Sequence, residues 1–325
     1  MSTTSTRRAR RASEAPATGT APRATTVPSP RTAGPPAPEP AGGPAPCAAV
    51  YDAVADAGAA AVIAGFSTSF GWACRLLRQP VRTRVRNVYA LVRIADEVVD
   101  GPLAAADPAA AARMLDGLEV QVTDAARTGW STNLAVHAFA RTAARCGIGP
   151  ELTGPFFASM RADLSVRTHD ARSLERYVYG SAEVVGLMCL RVFLADEPGA
   201  ERAYEALGPG ARRLGAAFQK VNFLRDLAAD RDELGRRYLT SGGFADATRD
   251  AVIDDIEADL AAAAAAVRHL PASSRRAVAC AHGLFAELAG RLRRTPAETI
   301  RRTRVRVPGR VKARVVAAAV LGRPA

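Results

Sequence analysis

At 325 residues, 48% hydrophobic and 6% aromatic, the chain is long enough to bury a substantial core, and abundant Ala, with no stretch alternating Val, Ile and Thr with polar residues, argues against strands. The net charge of +12 sits at the two ends: residues 1–47 hold six Arg against two acids and residues 291–325 hold eleven Arg or Lys against one Glu, leaving a body close to neutral. That distribution, without a stacking-aromatic module or groove-reading motif, excludes nucleic acid as a partner, and five scattered Cys and four His without CxxC or zinc spacing exclude a disulfide framework and a zinc site.

Residues 1–47 contain ten of the 21 prolines and no apolar periodicity, so a disordered tail is expected there. Its RRARR run is followed by no apolar h-region, which favours a cytoplasmic location over export. From residue 48 onward the pattern predicts helices at 50–64, 68–77, 81–99, 108–128, 132–145, 150–164, 173–195, 200–208, 210–233, 247–268, 271–293 and 296–305, broken by Gly, Pro and Asp-rich loops. The expected organisation is a tail over 1–47, one all-α domain over 48–315 and a short C-terminal tail over 316–325. No window supplies the ~18 uncharged apolar residues of a spanning helix, Arg191 interrupting the run at 184–194. The arginine-dense stretch 301–314 and the apolar run 315–321 read as a final helix with its aliphatic side on the body and its arginines in water. The livelier alternative is peripheral contact of this basic tail with anionic headgroups on the inner face of a membrane.

Two segments share a polar stripe. Tyr89, Arg93, Asp96 and Asp100 stand at offsets 0, 4, 7 and 11, and Gln219, Asn222, Asp226 and Asp230 at offsets 0, 3, 7 and 11; each set traces one helix face. The flanking residues, Leu91, Val92, Ile94, Val98 and Val99 in the first, call for burial, so such a stripe is costly unless it lines a wet or metal-filled cavity. Two acids four apart also repel, and a cation should compensate. Magnesium fits, since its shell combines one or two carboxylates with water and substrate phosphates; Arg93 and Arg225 would add guanidinium forks for a diphosphate.

With FSTSF at 66–70, YALVRIADEVVDG at 89–101, YVYGSAEVVGLM at 177–188 and QKVNFLRDLAADRDELGRRYL at 219–239, the chain resembles the phytoene and squalene synthase family of head-to-head prenyltransferases over about 60–315. The resemblance implies a single-domain isoprenoid-synthase-type helical bundle around a central cavity, with Asp96, Asp100, Asp226 and Asp230 catalytic. Asp96 and Asp100 would hold Mg2+ at one end and Asn222, Asp226 and Asp230 at the other, with Mn2+ as a substitute. Ser67, Ser69, Tyr89, Arg93, Gln219 and Arg225 would contact diphosphate oxygens, although a helix N-cap role for the serines stays open. The implied reaction joins two geranylgeranyl diphosphates to phytoene through a cyclopropyl diphosphate, without NADPH. Squalene or dehydrosqualene formation from two farnesyl diphosphates is the enzymatic alternative, and a non-catalytic membrane-associated assembly factor is the alternative of another class. Glu183 stands where many relatives carry Gly, and either pairs with an arginine or faces the cavity. No tyrosine follows Tyr238, so any substrate-contacting tyrosine near the C-terminus of relatives is not carried over.

Overall fold

A computed structural model describes residues 46–166, 168–227 and 244–322, and every regular element among them is helical. In chain order these are α1 (Pro46–Phe66), α2 (Thr68–Arg75), α3 (Val81–Asp100), α4 (Pro102–Ala106), α5 (Pro108–Thr128), α6 (Leu134–Cys146), α7 (Pro150–Ser165), α8 (Ala171–Val178), a π-helical turn (Tyr179–Glu183) and α9 (Val184–Leu194). They continue with α10 (Ala200–Arg225), α11 (Asp246–Arg268), α12 (Arg275–Arg294), α13 (Ala297–Ile300) and α14 (Gly309–Val320). Local chemistry sets many of these boundaries: the side chains of Asp107, Asn133 and Asp170 accept hydrogen bonds from the first turns of α5, α6 and α8, and Gly129 and Gly147 end α5 and α6 in the left-handed region at φ 74° and 68°.

Two apolar clusters flank the centre. In the first, Leu91, Ala95 and Val99 of α3 pack with Leu115 of α5, Phe139 of α6, Phe156 and Phe157 of α7, and Val184 and Met188 of α9. In the second, Val221 and Leu224 of α10 meet Ile253 and Ile256 of α11, Phe285 and Leu292 of α12, and Ile300 of α13. Each of these Val, Leu, Ile, Phe and Met side chains contributes about 1.5–3 kcal/mol by leaving water. Half-buried Phe70 of α2 packs against both clusters, beside the space between them.

The π-helical turn and α9 lie directly on α10 because glycines permit it. A Cβ at Gly186 would stand 2.5 Å from the carbonyl oxygen of Ala211, and one at Gly215 would stand 2.4 Å from that of Ala182. The small residues of these segments therefore set the approach of the two helices. On its other side α10 is tied to α11 by ions: Asp259, fully buried, accepts from Arg213 at 2.7 Å and from Lys220 at 2.8 Å.

Several expectations change here. α10 runs unbroken through Pro209, where two helices were expected; the apolar contacts of its Leu207 and Ala211 with residues of α9 and α11 outweigh one missing backbone bond. The helix expected at 173–195 is interrupted by the π-helical turn. Of the helix expected at 296–305 only α13 forms, because Thr303-Arg304-Val305-Arg306-Val307 alternates apolar and polar residues and ends against Pro308, which disfavours helical backbone at Val307. This is an alternation the compositional reading overlooked. α14 does pack its aliphatic side, Val315 and Ala319, on Cys280, Ala281 and Leu284 of α12, and it crosses the boundary drawn at 315. By length and mean apolarity two segments, Cys47–Phe66 and Ala171–Leu194, could span a bilayer, which the charge-free criterion had set aside. Up to residue 45 the N-terminal tail lies outside the described residues, as do Asp230, the end of the helix expected at 210–233, and the side chain of Ser69.

Candidate active site

α3 and α10 turn their stripes toward one space. Tyr89, Arg93 and Asp96 of α3 and Gln219, Asn222 and Arg225 of α10 line a single polar cavity of about 740 Å³, together with Ser67 at the start of α2. Beneath it lies an apolar cavity of about 290 Å³, walled by residues such as Ile63, Leu77, Val185, Cys189, Leu214 and Phe218. Phe70, Tyr89, Val92, Ser181, Gln219 and Asn222 line both, so the polar chamber adjoins the apolar one. Of the eight stripe residues, Tyr89, Arg93, Asp96, Gln219 and Asn222 line this space, Asp100 and Asp226 do not, and Asp230 lies outside the described residues.

The chamber's charges are largely paired. Arg93 Nη1 donates to Asp96 Oδ2 at 2.5 Å and its other terminal nitrogen pairs with Glu97. Arg225 Nε donates to Asp226 Oδ1 at 2.9 Å, and Arg304 reaches the same oxygen at 2.8 Å from the extended segment before α14. Each stripe thus carries its own arginine counter-charge. Asp226 forms the C-cap of α10 behind Arg225, and Asp100 lies exposed at the last residue of α3, beyond the chamber lining.

Ser67 fulfils the capping role left open for it: its hydroxyl accepts from the Phe70 amide at 3.1 Å while the side chain lines the chamber. Burial pushes the Tyr89 phenol above its ordinary range, against the opposing pull of Arg93 and a hydrogen bond with Ser67, so at neutral pH it remains a protonated donor. Asn222 Oδ1 and Ser181 Oγ are buried with no hydrogen-bond partner among the described residues. An orphaned amide oxygen on α10, in the chamber that Asp96 of α3 also lines, is the hard donor chemistry that suits Mg2+. Among the described residues no three His, Cys, Asp or Glu side chains gather to hold a metal alone, and magnesium sites completed by substrate phosphates need no such trio. The donor set fits the ion. Glu183 takes the paired alternative: Arg212 Nε donates to its Oε2 at 2.6 Å.

Sequence reasoning missed part of the lining. Arg304, Arg306 and Lys312 reach the chamber from the C-terminal segment that had been assigned to water or lipid. The signal was present in the period-two alternation of 303–307, which sends Val305 and Val307 onto the second apolar cluster. Tyr177 also lines the chamber, donating through its hydroxyl to buried Asp163 at 3.0 Å.

A helical body with a basic, carboxylate-bearing chamber beside an apolar pocket is complementary to an anionic headgroup joined to a hydrocarbon chain. The chain belongs to the squalene/phytoene synthase family, whose profile matches residues 63–241. It is 34% identical over 183 residues to 15-cis-phytoene synthase of a Paracoccus species, covering 53% of this chain and 56% of that protein. It is 28% identical over 273 residues to phytoene synthase of Mycobacterium bovis, covering 78% and 86%. The matched part of the chain thus spans about half the length of the Paracoccus relative. A crystal structure of a dehydrosqualene synthase in complex with ligand shares the fold, with a TM-score of 0.70 at 20% identity, covering 83% of this chain and 97% of that one.

Proposed function

We propose that the chain condenses two geranylgeranyl diphosphates head to head, giving phytoene and releasing diphosphate. The observation that carries this reading is the adjacency of the arginine-rich chamber and the apolar cavity, which share lining residues from α3 and α10. In the first step the C–O bond of one substrate breaks, its electron pair leaves with diphosphate, and the allylic cation is captured by the double bond of the second substrate; loss of a proton closes a cyclopropyl diphosphate. Loss of the second diphosphate, rearrangement and loss of another proton complete the triene.

In this reading Ser67, Ser69, Tyr89, Arg93, Gln219 and Arg225 hold diphosphate oxygens, joined by Arg304, Arg306 and Lys312. Asp96, Asp100, Asn222, Asp226 and Asp230 would hold Mg2+, which supplies Lewis-acid neutralisation of the leaving group. Substrate phosphates then take over the arginines that now neutralise Asp96 and Asp226. The walls of the lower cavity, Val92, Val185, Leu214 and Phe218 among them, keep water from the cation.

Incubating the full chain with geranylgeranyl or farnesyl diphosphate, with Mg2+, with Mn2+ and with neither, tests the proposal. Phytoene and released diphosphate from the longer substrate, in the absence of NADPH, are expected. A product formed only from farnesyl diphosphate would transfer the reading to squalene or dehydrosqualene synthesis. No diphosphate from either would leave a non-catalytic membrane-associated assembly factor.

A further inference from the structure

The reaction proposed above sheds a proton at each of its two stages, and the groups that hold diphosphate and metal leave that proton without an acceptor. Among the described residues that line the chamber, the titratable oxygens belong to Tyr89, Asp96 and Tyr177. Arg93 pairs with Asp96 and also faces Tyr89, so its positive charge opposes the arrival of a proton at either. Tyr177 of α8 has a carboxylate behind it: its hydroxyl donates to Asp163 Oδ2 at 3.0 Å, and both residues are buried.

α7 builds this pair. Phe156, Met160 and Asp163 stand at offsets 0, 4 and 7 on one face of that helix, and the first two line the chamber. Ser159 Oγ donates to the Tyr177 carbonyl at 3.2 Å, so Tyr177 is fixed to α7 at its backbone as well as at its hydroxyl. Gly180 makes the approach possible, since a Cβ there would stand 2.2 Å from the Pro155 carbonyl oxygen. The Tyr177 ring lies 6.0 Å from that of Phe223 and 5.1 Å from that of His169. Burial holds His169 below its ordinary range, so at neutral pH it adds no cation beside the phenol. Ser181, one turn on from Tyr177, lines both cavities. Tyr177 therefore stands next to the junction at which a prenyl C1 carbon, with diphosphate on one side and hydrocarbon on the other, would come to rest.

We propose that Tyr177 and Asp163 form the proton-accepting pair of the condensation, a role that rests on the reaction proposed above. After capture of the allylic cation, positive charge sits on a tertiary carbon of the second substrate. The C–H bond at C1 of the first substrate breaks and its electron pair closes the three-membered ring. The proton goes to the Tyr177 oxygen as the phenol's own hydrogen passes to Asp163 Oδ2. A C–H bond beside a carbocation is acidic enough for a phenol oxygen to receive its proton once a carboxylate takes the phenol's own. The reverse transfer hands one proton to an oxygen of the departing diphosphate and restores the pair. Tyr177 meets the reacting carbon, and Asp163 acts through it.

The test compares the wild-type chain with Tyr177→Phe and Asp163→Asn. It follows hydrocarbon product and diphosphate from geranylgeranyl diphosphate deuterated at C1, or from the farnesyl analogue if that is the substrate, with thermal melts on each chain. Asparagine still accepts from the phenol but cannot take up its proton. Both variants are expected to lose about 10²-fold in kcat with KM within about twofold. Each should also release more diphosphate per hydrocarbon than the wild type and show a larger deuterium isotope effect on hydrocarbon formation. Both quantities are ratios over active molecules, so partial unfolding of a variant does not alter them. A wild-type ratio and isotope effect in Tyr177→Phe would overturn the proposal. Full turnover by Asp163→Asn would do the same, because a hydrogen bond that merely pins α8 to α7 survives that change. Release of no diphosphate by the wild type would overturn the reaction as well, whereas normal products from the wild type and both variants would overturn this assignment alone.

Discussion

The arginines decide how the chamber's carboxylates are partnered. Arg93 bridges Asp96 and Glu97, and Arg225 and Arg304 converge on Asp226, so one carboxylate of each stripe has an arginine partner. Asp96→Asn or Asp226→Asn is expected to lower turnover by about 10²-fold or more while leaving the melting temperature within a few degrees; steady-state assays with thermal melts check it. Arg304→Gln is expected to raise KM about tenfold with a smaller change in kcat, because it removes a phosphate donor from the rim. The cysteines divide by environment. Burial pushes Cys189, on the wall of the apolar cavity, up to about 12 and Cys280 up to about 11, whereas Cys47 is exposed. Thiolate is the reactive form, so iodoacetamide at mildly alkaline pH should label Cys47 first and leave Cys189 and Cys280 intact in the folded chain, as peptide mass spectrometry would read. The raised values also mean that the stability these thiols contribute is present below the ordinary thiol pKa and fades as pH climbs from there through 11 and 12.

At the scale of elements, what could be read from sequence followed from periodicity. The offsets of Tyr89, Arg93 and Asp96, and of Gln219 and Asn222, place each set on one face of a helix, and that is how α3 and α10 present them. Continuity was harder to read, because Pro209 signals a break locally and only the packing of α10 against α9 and α11 overrides it. The π-helical turn at Tyr179–Glu183 has no compositional mark; it arises where Gly180 lies against Pro155 and Ser159 of α7. Arg304 and Arg306 were misread because the net charge of the tail concealed the alternation within it. Two variants test the contacts of α10. Gly215→Ala places a methyl group against the Ala182 carbonyl and should cost about 2 kcal/mol. Asp259→Ala removes a buried acceptor from solvent-exposed Arg213 and from Lys220, which keeps Asp255, and should cost about 1.5 kcal/mol; urea denaturation measures both.

For the whole molecule, the two apolar clusters hold α3 and α10 apart by one cavity's width and keep their stripes facing. The family is set by this architecture together with the matching profile over 63–241. Which hydrocarbon the lower cavity takes depends on its walls, Leu77, Val185, Leu207, Leu214 and Phe218, and these come from the loop after α2, from α9 and from α10, far apart in sequence, which is why chain length was not legible in any one motif.

A crystal structure with Mg2+ and a non-hydrolysable geranylgeranyl thiodiphosphate tests the central geometry most directly. Diphosphate oxygens bound between Arg93 and Arg225, metal on Asp96 and Asn222, and the isoprenoid running down past Val185 and Cys189 are the expected result. A ligand seated elsewhere, or a thiodiphosphate bound with its chain pointing out of the apolar cavity, would contradict it.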